Sequence, residues 1–130
     1  VQAACAIARL VMIYVPAGEL RPLMALETAE AWVRQPEQLK AYAAQDASRI
    51  AGLASPAGCA ALAAFLAGDS LAPPHLDPLT PLPHLAGLAA AGAVKLAAAR
   101  RAPAEPNAEL MRLLDAGFAV ATGIDTWEEA

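Results

Sequence analysis

Apolar positions recur at helical spacing from the first residues of the chain. Ala3, Ile7, Leu10, Val11 and Tyr14 share a face, with Gln2 and Arg9 off it. That predicts a helix ending before Pro16, with a turn at Gly18. A second helix opens at Pro22 and runs to about Arg34. Leu23, Leu26, Ala29 and Val33 form its stripe, Trp32 lies beside it, and Glu27, Glu30 and Arg34 face away. Pro36 starts a third helix, with Leu39, Tyr42, Ala43, Ala47, Ile50 and Leu53 inward and Gly52 weakening its last turn. Ser55-Pro56 is a strong start signal, serine capping and proline first inside. The fourth helix that follows, with Cys59, Leu62, Phe65 and Leu66, stops at Gly68 and is nearly free of charge. It is expected at the centre. A fifth spans about Leu85 to Arg101, apolar around almost its whole circumference, which predicts burial. Pro103 and Pro106 end it. The last helix turns Leu110, Leu113, Leu114, Phe118 and Ala121 inward and Glu109, Arg112 and Asp115 outward, with Gly123 as its C-cap. The tail from Asp125 is expected to be loose, with Trp127 as its anchor.

Residues 71–84 interrupt this pattern with Pro73, Pro74, Pro78, Pro81 and Pro83. Each removes an N–H and fixes φ, so neither a helix nor a central strand fits. Leu71, Leu76, Leu79, Leu82 and Leu85 are spaced to press this connector onto the helices as an ordered strap. Pro78-Leu79-Thr80-Pro81 also satisfies a P-x-x-P pattern, the weaker reading. The expected architecture is an all-α compact bundle of five or six helices, with the connector packed across it. No repeat of about 34 to 40 residues superimposes.

Composition changes how such a bundle must pack. At 130 residues the chain is one domain, long enough to bury about two thirds of its unfolded surface. Alanine supplies 36 residues, against 30 for Leu, Ile, Val and Phe together. Alanine favours helix but buries little area, so stability must come from close helix–helix approach.

The net charge of −4 argues against nucleic acid as partner, because phosphate binding needs a clustered positive face. The single basic cluster, Lys95 with Arg100-Arg101, sits where it complements a helix C-terminus. The run Leu85–Ala99 is too short for a membrane span and contains Lys95; Val1–Val15 carries Arg9 and makes a poor signal peptide. No membrane is expected. Cys5 and Cys59 read as buried core thiols, with a disulfide the minor alternative, and a reducing cytoplasm fits.

Candidate chemistry gathers in the connector. Gly68-Asp69-Ser70-Leu71 spells the signature of GDSL-type esterases, but no strand precedes it and no Asp-x-x-His follows. Gly68 as a helix stop and Asp69-Ser70 as a turn is the simpler reading. Asp69, His75, Asp77 and His84 are metal-ligand types, yet none has the i, i+4 spacing that preorganises a site. No catalytic residue, cofactor or metal is therefore assigned.

Four segments together resemble a family. Ala29-Glu30-Ala31-Trp32-Val33-Arg34, Ser55-Pro56-Ala57-Gly58 leading to Ala63-Ala64-Phe65, Gly68-Asp69-Ser70-Leu71-Ala72-Pro73-Pro74, and Pro83-His84-Leu85 look like an uncharacterised bacterial domain family of unknown function. The likeness spans roughly Ala3 to Gly123, and its specific part is the Ser-Leu-Ala-Pro-Pro segment with the later Pro-His-Leu. It implies an all-helical fold and assigns no catalytic residue. Members often carry a further helical segment upstream, more tryptophan near Gln2–Ala4, and proline where Leu79 and Leu82 stand here.

The functional expectation is a non-enzymatic interaction or adaptor module of the bacterial cytoplasm, whose partner is another protein. Its surface is expected at Leu71, Pro73, Pro74, His75, Leu76, Pro78, Pro81 and His84 with the adjoining helix ends. One alternative is a metal-dependent or hydrolytic enzyme built on Asp69, Ser70, His75, Asp77 and His84. Another is a homodimer, formed because Ile7, Leu10 and Tyr14 lie uncovered.

Overall fold

A computed structural model describes residues 1–123. Among them are six α-helices and no strand: α1 (Gln2–Leu10), α2 (Arg21–Arg34), α3 (Gln38–Ala51), α4 (Pro56–Leu66), α5 (Leu85–Arg101) and α6 (Pro106–Ala121). The all-α expectation holds. The tail from Asp125, with Trp127, lies outside the described residues.

Local chemistry accounts for the boundaries. Pro22, Pro56 and Pro106 sit in first turns, where a missing N–H removes no helical bond. Ser55 caps α4, its hydroxyl oxygen accepting the Gly58 N–H at 3.4 Å. Two starts or stops differ from the pattern. After Leu10 the chain tightens into a 3-10 turn at Met12–Tyr14, through the β-branched run Val11, Ile13 and Val15. Pro36 lies in a linker, because it holds Gln35 extended at φ −146° and α3 begins only at Gln38.

Helix α4 packs against α1, α2, α3 and α5, and is the central element the sequence suggests. Helix α6 leans on α1 and α5 at one side. Most buried apolar residues are alanine, with Ile7, Leu26, Leu113 and Val11 the bulkiest fully buried. They form one cluster around Cys5, Leu26 and Ala60, and another around Ile7, Val94 and Leu113. Backbones therefore come close. A Cβ built on Gly58 would fall 2.0 Å from the Gly52 carbonyl oxygen, and Gly52, ending α3, holds φ 83°.

That closeness overturns several faces read from bulky side chains. On α3 the inward residues are Ala41, Ala44, Ala47 and Ser48, while Leu39, Ile50 and Leu53 are exposed. On α6 the inward set is Glu109, Leu113, Gly117 and Val120, and Met111, Leu114 and Phe118 face out. Gly117 is inward because α1 crosses there, its Ile7 Cδ1 only 3.2 Å from where a Cβ would stand. Helix α5 is not buried all round: Ala93, Val94, Ala97 and Ala98 face the core, whereas Gly87, Leu88 and Ala91 are exposed. Ile7 is covered, so of the three side chains expected bare, Tyr14 alone is exposed.

Two carboxylates assigned to the surface are also buried. Glu30 is 5% exposed and takes a bidentate pair from Arg9 at 2.7 Å for each bond, with Arg34 at 3.9 Å. Glu109, equally buried, joins Arg101 at 3.1 Å and Arg112 at 2.9 Å, tying α5 to α6. The pairing explains the burial, since a lone carboxylate would stay in water.

Cys5 and Cys59 are free thiols in the same core cluster. Burial, reinforced by the Glu30 charge, pushes the Cys5 thiol up from 9.0 to about 12, and burial raises Cys59 too. A thiol with a raised folded pKa is deprotonated first in the unfolded chain. Stability is thus untouched below pH 9.0 and declines as pH climbs from there toward about 12. Cys5→Ala is expected to flatten that alkaline decline in denaturation midpoints measured against pH. An unchanged slope would remove Cys5 as its source.

Candidate functional site

The end of the bundle where α2 finishes, α3 starts and α4 finishes carries the connector. Gln38, in the first turn of α3, is its clamp. The Gln38 Oε1 accepts the N–H of Asp69 at 2.7 Å and of Ser70 at 3.3 Å, and its Nε2 donates to the Ser70 carbonyl at 2.9 Å. A second anchor comes one turn on, where the Tyr42 hydroxyl donates to the Ala72 carbonyl at 2.7 Å. The Tyr42 ring in turn lies 6.4 Å from that of Phe65 on α4, in a tilted pair.

Ser70 then closes the loop on itself. It is buried, and its hydroxyl oxygen accepts the N–H of Ala72 at 3.1 Å and of Leu79 at 2.9 Å. The Leu71 N–H donates to the Leu79 carbonyl at 2.8 Å, so both ends of residues 71–79 are stitched together. Leu76 N–H to Pro73 carbonyl, at 3.0 Å, makes a turn inside the loop.

Among the residues expected at a partner surface, Pro73, Pro74, His75, Leu76, Pro78 and His84 are exposed, while Leu71 and Pro81 are half-buried. Leu71 and Leu85, at the two ends, are half-buried, but the three leucines between them do not strap the loop down. Leu76, Leu79 and Leu82 are 57%, 59% and 60% exposed, and polar bonds at the base hold what leucine packing was expected to hold. The loop is fixed where Asp69, Ser70, Leu71, Ala72 and Leu79 offer backbone groups, and the prolines between and beyond them have no N–H to add.

The residues of the enzymatic alternative are not brought together. Ser70 faces its own loop with its oxygen already taken, whereas Asp69, His75, Asp77 and His84 point to solvent. Among the described residues, no group of three or more His, Cys, Asp or Glu is placed to hold a metal ion. No described helix is long and apolar enough to cross a membrane. The basic cluster has two jobs beyond the α5 dipole: Arg101 pairs with Glu109, and Arg100 donates to the Ala54 carbonyl at 3.1 Å.

Gln38 and Tyr42 have no role in the sequence reading beyond Tyr42's place in a stripe. Nothing local marks a glutamine as a clamp for a loop some thirty residues away. Ser70→Ala is expected to weaken the loop closure by about 1–2 kcal/mol locally, leaving the Ala72 and Leu79 N–H groups without their acceptor. Amide exchange at Ala72 and Leu79 should then accelerate by about tenfold with little change in global midpoint. Unaltered exchange at both amides would mean that the hydroxyl is not what closes the loop.

Compared with protein-family models, residues 1–121 match a family whose description is a family of unknown function. No curated protein and no solved structure matches.

Proposed function

The chain belongs to the DUF6931 family, a family of unknown function, and from its helical fold and the exposure of its connector we propose that it is a protein-interaction or adaptor module that docks its partner on the 71–84 loop. The observation that carries this reading is the combination of fixed base and bare tip. Three polar side chains, Gln38, Tyr42 and Ser70, hold the loop ends, while Leu76, Leu79 and Leu82 stand in solvent between prolines. Exposed leucines on a mobile segment lose entropy on binding; on a loop already shaped, less of that cost remains. Proline adds to the effect because its φ is set beforehand.

The proposed setting is the bacterial cytoplasm, with the two unpaired core thiols as physical support for a reducing compartment. The test is site-specific photo-crosslinking in bacterial extract, with the reactive group at Leu76, Leu79 or, as control, Arg49 on α3. A discrete adduct from both loop positions, absent from the control and lost when Leu82 is changed to Asp, is expected. Identical patterns from loop and control positions would overturn the reading.

A further inference from the structure

We draw no further inference here: the strongest candidate, the outward stripe of Met111, Leu114 and Phe118 on α6, is an apolar face for which nothing in the structure shows what covers it.

Discussion

Gly58→Ala is expected to destabilise the protein by about 3 kcal/mol, against the gain of up to about 1 kcal/mol that alanine normally brings inside a helix. The reversal of sign comes from one contact. The new methyl would stand 2.0 Å from the Gly52 oxygen and 3.0 Å from its carbonyl carbon, both backbone atoms. A side chain in the way can swing aside, but a peptide group at the end of α3 moves only with the helix behind it. Gly52 cannot easily relax either, because its φ of 83° suits glycine and its N–H is bonded to the Ser48 carbonyl at 2.8 Å. Gly87→Ala on α5 is the matching control. Nothing stands within 4 Å of its added methyl, so a gain of about 0.5–1 kcal/mol is expected. Chemical denaturation of the two variants measures the contrast. Equal effects of the same sign would show that the α3–α4 junction is looser than described.

Arg9→Met should cost about 2–3 kcal/mol. It leaves Glu30, whose side chain is 6% exposed, without the two bonds of 2.7 Å that make its burial tolerable. The cost stays at or below the lower limit for broken buried pairs for two reasons. Arg9 is itself 36% exposed, and Arg34 remains 3.9 Å from the carboxylate. For a domain of this size such a loss lowers the thermal midpoint by about 10 °C. Adding Glu30→Gln to Arg9→Met should restore at least half of it, since the charge that suffered from burial has gone. Strict additivity of the two changes would show that the pair contributes nothing as a pair. The same logic extends to Glu109, but its partners Arg101 and Arg112 share the work, so removing either one alone is expected to matter less.

Much of this architecture was legible from residue order alone. Prolines 22 and 56 mark helix starts, Ser55 marks a cap, and the limits of α5 agree with the pattern to the residue, whereas Pro106, read as a stop, opens α6. The central place of α4 follows from its lack of charge. These are local effects: an N–H that is missing, a hydroxyl within reach of a helix end, a φ that only glycine accepts readily. They act within a few residues, so the chain states them directly.

Which face turned inward was a different matter. Periodicity put Leu39, Ile50, Leu114 and Phe118 in the core, and tertiary packing left all four outside. In a chain this rich in alanine, attraction depends on how near two backbones come, and the faces that come nearest are those with least bulk. Ala41, Ala44, Gly58 and Gly117 therefore win positions that the larger side chains were expected to hold. Glu30 and Glu109 follow for a related reason, because a carboxylate can be buried only once another helix delivers an arginine to it. The loop clamp at Gln38 belongs to this class as well. It depends on groups far apart in the chain meeting at one end of the bundle, a proximity that only the folded backbone creates.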